Sequence, residues 1–212
     1  SDHRRQRQMC IRDRTYGSFA AKAKAMAKGF EELGVAHQGR VAMVSHNASR
    51  MLTFLFGTAA WGRIGVPINF RLNHEEISYI IEHSGAEVLI VDPELEDTLK
   101  EVKVKHFFCM GRDSDEVLFK AGEPSPWVPD EDATATINYT SGTTARPKGV
   151  EMTHRMLWTN AAIFGWQTGV NDRDVYLHTL PMFHCNGWGM PFALTAMGCL
   201  LYTSDAADDD RS

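Results

Sequence analysis

Between residues 16 and 91 the chain alternates one-faced helices with short apolar blocks, and that order leaves few folds open. Phe19, Ala23, Met26, Phe30 and Leu33 recur at spacings of 4, 3, 4 and 3 with Lys22, Lys24 and Lys28 between them, which predicts a helix that Ser18 caps and Gly34 ends. Residues 40–45 (RVAMVS) then read as a strand, 49–64 as a helix, 66–69 as a short strand, and Asn73 with Glu76 as the capping box of a further helix. Residues 87–91 (EVLIV) close the unit as another strand. Strands that read as continuous apolar blocks, joined by helices, are the mark of βαβ crossovers. The expected fold is therefore α/β, a mainly parallel sheet flanked by helices.

Composition agrees with a folded chain and excludes several functions. The 212 residues are 43% hydrophobic and 23% charged, close to ordinary globular usage and unlike a disordered or collagenous sequence. With 22 Lys and Arg against 27 Asp and Glu, the net charge of −5 offers no footprint for nucleic acid or an anionic membrane. No apolar run reaches the roughly 18 residues of a transmembrane helix. Cys10, Cys109, Cys185 and Cys199 show neither a CxxC pair nor a zinc-ligand spacing, which points to the reducing cytoplasm. The two ends differ in composition from the middle: residues 1–14 hold five Arg and two Asp, and residues 204–212 hold four Asp and one Arg. Residues 1–14 and 199–212 are expected to be non-native or disordered, and 15–198 to form the folded part.

Residues 133–140 alternate Ala135, Ile137 and Tyr139 against Thr134, Thr136, Asn138 and Thr140, a strand that runs into Ser141-Gly142-Thr143-Thr144-Ala145-Arg146-Pro147-Lys148-Gly149. Backbone N–H groups at glycine, rotatable hydroxyls and a cation are what a polyphosphate needs. The stretch is not a Walker loop, because Pro147 stands where the second Gly belongs and Gly149 follows the Lys. Val150 to Met152 reads as a short strand before a helix capped by Thr153.

YTSGTTARPKGV resembles the phosphate-loop signature YTSGTTGxPKG of the acyl-adenylate-forming superfamily, which includes acyl-CoA synthetases, luciferases and peptide-synthetase adenylation domains. The resemblance runs through FEELGV, GRVAMVSHNASRM and GVPINFRLNHEEISYIIEHSGAEVLIVD upstream and LPMFHCNGWGMPF downstream. It implies the N-terminal part of an AMP-forming adenylating domain, incomplete because the later family motifs for adenine, ribose and magnesium have no counterpart. In such enzymes ATP and a carboxylic acid, with Mg²⁺ assisting, give an acyl adenylate and pyrophosphate. The thiol of coenzyme A then displaces AMP.

The resemblance further implies that Thr140, Ser141, Gly142, Thr143, Thr144 and Lys148 close over the β- and γ-phosphates, with Lys148 acting in catalysis. Ala145 replaces the usual Gly of this loop, a change expected to be tolerated. His184, at the family position near the adenylate carbonyl, is the second expected catalytic residue. His184, Asn186 and Trp188 are expected at the acid substrate, Trp188 through the apolar face of its indole. The wording FHCNGW leans towards a fatty acid. His178, His184 and Cys185 lack the second ligand pair of a zinc site, and no metal-binding residue is expected. Arg71, His154 and Arg155 read as capping and surface-pairing residues. A peptide-synthetase adenylation domain and a non-catalytic half-domain that binds phosphate or a partner stay open as alternatives. Alone, the chain is expected to be inactive.

Overall fold

The computed structural model describes residues 8–9, 14–111, 114–140 and 146–203. The chain opens with strands β1 (Gln8–Met9) and β2 (Arg14–Thr15), which pair with each other, and helix α1 (Tyr16–Glu32). It continues through β3 (Arg40–Val44), α2 (Ser49–Ala59), β4 (Ile64–Ile68), α3 (His74–Ser84) and β5 (Val88–Val91). A 3-10 turn at Pro93–Leu95, α4 (Glu96–Leu99), β6 (His106–Cys109) and α5 (Asp115–Leu118) follow. The hairpin β7 (Thr134–Thr140) and β8 (Lys148–Thr153) leads into α6 (His154–Thr168), β9 (Val175–His178), the single turn α7 (Cys185–Trp188), α8 (Met190–Ala196) and β10 (Leu200–Thr203).

Six strands form one sheet in the order β6-β5-β3-β4-β7-β8, parallel throughout except for β8, which returns antiparallel to β7. The strand β3 shows why the apolar blocks are continuous. Val41 and Met43 point into a cluster with Met26, Phe30, Met51 and Leu55 of α1 and α2, whereas Ala42 and Val44 point into a second cluster with Ile77, Ile80 and Ile81 of α3. Successive side chains alternate between faces, and both faces are covered. The pair β9 and β10 forms a separate parallel sheet. Among the described residues no helix is long and apolar enough to cross a membrane.

Local chemistry set most helix ends where the sequence places them. Asn73 and Glu76 form both halves of the capping box, and Thr153 caps α6 through the Met156 amide. The cap of α1 is Thr15 rather than Ser18. The Thr15 hydroxyl accepts from the Ser18 amide at 3.1 Å, so the helix starts at Tyr16, before the first periodic apolar residue. Helix α2 stops at Ala59, short of residue 64, because Gly62 takes a left-handed turn with φ of +70° and sends the chain into β4 from Ile64. Trp127 seals this turn, donating from Nε1 to the Ala60 carbonyl.

The strand β6 and the helices at 93–99 and 115–118 were not evident from periodicity. The expected end of the folded part after residue 198 also moves outward: Cys199 and Leu201 are buried, and Leu200–Thr203 pairs with Val175–His178. Residues 204–212 lie outside the described residues.

Candidate active site at the carboxyl rim of the sheet

Because β3, β4, β5 and β7 are parallel, their carboxyl ends share one rim, the edge where open α/β sheets place ligands. Thr140 ends β7 there. In the hairpin Thr140 is paired directly with Lys148, so the two strands hold both ends of the phosphate-loop candidate. Ser141, Gly142, Thr143, Thr144 and Ala145 lie outside the described residues. Beyond them Arg146 is exposed, its guanidinium 5.1 Å from the centre of the Tyr79 ring, and the Tyr79 hydroxyl donates to the Pro147 carbonyl at 3.3 Å. Lys148 is exposed, as a cation that meets an incoming anion must be. Helix α3 thus braces the exit of the loop. His83 from the same helix meets the Tyr139 hydroxyl at 2.8 Å, and burial pushes the Tyr139 phenol up to about 12.

The segment from His178 to Trp188 crosses the same rim. Asn47, just beyond β3, clamps it: its Nδ2 donates to the carbonyls of His178 (3.2 Å) and Leu180 (2.8 Å), and its Oδ1 accepts from the Met182 amide (2.8 Å). Phe70, just beyond β4, packs edge-on against Phe183 and over His46. The segment then exposes His184 and Trp188, the latter 63% accessible, and tucks Asn186 inside.

Asn186 is therefore placed differently from the expectation that it meets substrate. Its side chain is fully buried, donating to Thr136 Oγ1 at 2.9 Å and accepting from Asn138 Nδ2 at 3.0 Å. Thr136 in turn donates to Asn138 Oδ1 at 3.2 Å. The two expected sites are joined here: Asn138 stands two residues before Thr140, and Asn186 stands between His184 and Trp188.

His178 is also buried, with neither ring nitrogen bonded to any of the described residues, and burial holds its pKa at about 4. His184 Nε2 lies 3.8 Å from Cys185 Sγ. Arg155 pairs on the surface with Glu131 (2.9 Å) and Asp132 (3.0 Å), and Arg71 lies over the Phe70 ring. His154 begins α6 half-buried beside Trp127, and burial lowers its pKa.

The sequence reading missed the rim network of Asp92, Arg50, Ser45 and His46, and the separate clamp at Asn47. Among the described residues His46, Asp92 and Glu94 are the one group close enough to hold a metal ion. The Asp92 oxygens are already taken, by Arg50 Nε and Nη2 (2.8 Å), Ser45 Oγ (3.0 Å) and the His46 amide (2.9 Å). A saturated carboxylate beside a guanidinium is a poor Mg²⁺ ligand. The signal for the Asn138 and Thr136 contacts was present: a strand inside a covered sheet whose second face is polar needs a polar partner.

The family profile described as "AMP-binding enzyme" matches residues 3–212. The chain is 34% identical over 215 residues to 4-hydroxybutyrate–CoA ligase 2 of Metallosphaera sedula, covering 92% of this chain and 39% of that protein. It is 34% identical over 198 residues to the long-chain-fatty-acid–CoA ligase of Thermus thermophilus, covering 87% of this chain and 36% of that one. The N-terminal domain of FACL13 from Mycobacterium tuberculosis superposes with a TM-score of 0.84 at 26% identity, over 98% of this chain and 57% of that structure. The chain thus spans less than two-fifths of the length of these two curated relatives.

Proposed function

The chain belongs to the AMP-binding enzyme family, and from that footing we propose that it is the phosphate-binding and acid-facing portion of an AMP-forming acyl-CoA ligase. The observation that carries this reading is the joint between the two motifs: the hydrogen bonds of Asn186 to Thr136 and Asn138 set the His184–Trp188 segment against the strand that enters the phosphate loop. A carboxylate and a triphosphate that are to react must be held side by side, and this joint brings their two candidate sites together.

In this reading Lys148 and Thr140, with Ser141, Gly142, Thr143 and Thr144, hold the β- and γ-phosphates. Attack of a carboxylate on the α-phosphate brings two anions together, so the lysine's part is electrostatic, neutralising the leaving pyrophosphate. ATP arrives with Mg²⁺, which supplies further charge neutralisation on the phosphates. Among the described residues no fitting ligand set for the ion is present. His184 and Trp188 face the acid on the open side of the rim, and coenzyme A is the acceptor of the activated acyl group. The relatives act by name on 4-hydroxybutyrate and on long-chain fatty acids, so the proposed substrate class is a monocarboxylic acid. The exposed indole of Trp188 favours an apolar one, such as a fatty acid. A cytoplasmic location belongs to the same reading and rests on the cysteine pattern.

The test is carboxylate-dependent ATP–pyrophosphate exchange, measured on the chain and on a chimera extended with the polypeptide that follows this region in the M. sedula ligase. We expect exchange in the chimera and little in the chain alone. Lys148→Ala should lower exchange by about 100-fold or more, the usual loss when one charge-stabilising group is removed. Its exposed position predicts an unchanged unfolding midpoint. Equal exchange with and without the lysine in the folded chimera would remove Lys148 from the mechanism.

A further inference from the structure

Lys148 opens β8 as an exposed side chain on a flexible four-carbon stem, so the reach of its ammonium depends on the backbone from which the stem springs. Helix α3 holds that backbone on both sides. Before Lys148, the Tyr79 hydroxyl donates to the Pro147 carbonyl at 3.3 Å, and the Tyr79 ring carries the Arg146 guanidinium 5.1 Å from its centre. After Lys148, Gly149 lies so close to the Tyr139 ring that a Cβ would come within 3.2 Å of Cζ, and the Tyr139 hydroxyl meets His83 Nδ1 at 2.8 Å. Tyr79 and His83 are one helical turn apart on the same face, their ring centres separated by 5.3 Å. The rings of Tyr79 and Tyr139 both pack against the cluster that holds Ile77, Ile80 and Ile81. Each phenol therefore has an anchored apolar body and a hydroxyl left at the edge of the core to bond.

The contact at Pro147 bears most directly on the lysine. A peptide unit is planar, so the Pro147 carbonyl and the Lys148 amide turn together. The proline ring fixes φ, and the soft torsion left at this residue is ψ, which swings that carbonyl. A hydrogen bond from Tyr79 to the carbonyl restrains the torsion that the ring leaves free.

We propose that Tyr79 is a positioning residue for Lys148: it holds the peptide between Pro147 and Lys148 and so sets where the lysine side chain leaves β8. The restraint rests on the geometry of α3 and the hairpin alone, and its consequence for catalysis rests on the function proposed above.

Backbone nitrogen relaxation on the 212-residue chain tests the restraint. Tyr79→Phe removes the hydroxyl and keeps the ring beside Arg146. In the parent the Lys148 amide should have an order parameter of about 0.85, that of rigid backbone. In Tyr79→Phe it should fall, while the amides of Thr153 and Met156 at the start of α6 stay as they were. Tyr79→Leu, which also takes the aromatic face away from Arg146, should deepen the loss; if it does not fold, the phenylalanine variant decides. A Lys148 amide that is already mobile in the parent, or equally rigid in parent and Tyr79→Phe, would overturn the restraint.

The consequence for catalysis is read in the chimera described above. Tyr79→Phe should slow ATP–pyrophosphate exchange by about 3- to 10-fold, the usual worth of one hydrogen bond. In a Lys148→Ala background the same change should have no further effect, because Tyr79 acts through the lysine. Equal losses in the two backgrounds, or no loss with Lys148 present, would overturn the positioning role. Exchange that is absent from the chimera, or undiminished in its Lys148→Ala variant, would instead count against the function proposed above and take the catalytic consequence with it, and the order parameters would still decide the restraint.

Discussion

Gly149 follows Lys148 in the loop signature, and its reason for being glycine is space. It stands opposite Tyr139 in the hairpin, and a Cβ there would come within 3.0 Å of Ile137 Cγ2 and 3.2 Å of Tyr139 Cζ. The Tyr139 ring cannot swing clear without giving up its hydrogen bond to His83. Gly149→Ala should therefore destabilise the chain by about 1–3 kcal/mol, the usual cost of overpacking. Urea unfolding reads this directly, and an unchanged midpoint would show that the hairpin yields. Lys148, one position earlier, is predicted to behave in the opposite way, losing function without losing stability.

Helix α2 begins without a side-chain cap, since Ala48 at its N-cap has no oxygen to offer. The element is tied down instead by Arg50, whose guanidinium reaches across to Asp92 just beyond β5. Asp92 is fully buried and also accepts from Ser45 and the His46 amide, so one carboxylate joins the ends of β3 and β5 to the start of α2. Asp92→Ala would strand these donors together with the partly buried guanidinium. A loss of roughly 3 kcal/mol is expected, since removing one partner of a buried pair leaves the other uncompensated. The check is the denaturant midpoint of the variant; a drop below about 1 kcal/mol would mean that water replaces the carboxylate at little cost.

The stability of the whole chain should depend on acid through His178. In the folded chain burial lowers its pKa from 6.5 to about 4. The unfolded chain takes up the proton near the ordinary value, so between these two pH values it binds more protons than the folded one. The stabilisation is thus complete above about pH 6.5, falls as the pH drops towards 4, and levels off below. Its ceiling is on the order of 3 kcal/mol, from about 1.4 kcal/mol for each unit of pKa difference. His178→Leu should flatten this dependence and leave stability at neutral pH equal or higher, because an apolar replacement loses no ring hydrogen bond to any of the described residues. Urea unfolding at pH 7.5, 5.5 and 4.5 compares the two chains, and parallel losses would assign the acid sensitivity elsewhere, His154 being the next candidate.

Much of the fold was legible because it is set by local rules. The capping box at Asn73 and Glu76, the Thr153 cap, the left-handed Gly34 after α1 and the apolar run of β3 each depend on neighbours within a few residues. The strand β6 was not legible, because at the sheet edge His106, Phe107 and Phe108 are only partly buried and carry no clean period. The loop signature and FHCNGW marked the candidate site by their residue types, through resemblance and through the chemistry of phosphate binding. Which way each side chain faces was decided elsewhere. Asn186 turns inward because Thr136 and Asn138, about 50 residues earlier, offer the partners its amide needs. Asn47 holds a segment more than 130 residues later. By itself, then, the sequence determined the elements, their βαβ order and the chemical character of the two motifs, since these follow from local periodicity and residue type. Only the tertiary structure decided that the motifs meet at one rim and that Asn186 is their joint, because buried hydrogen bonds between distant residues exist only once the sheet has formed.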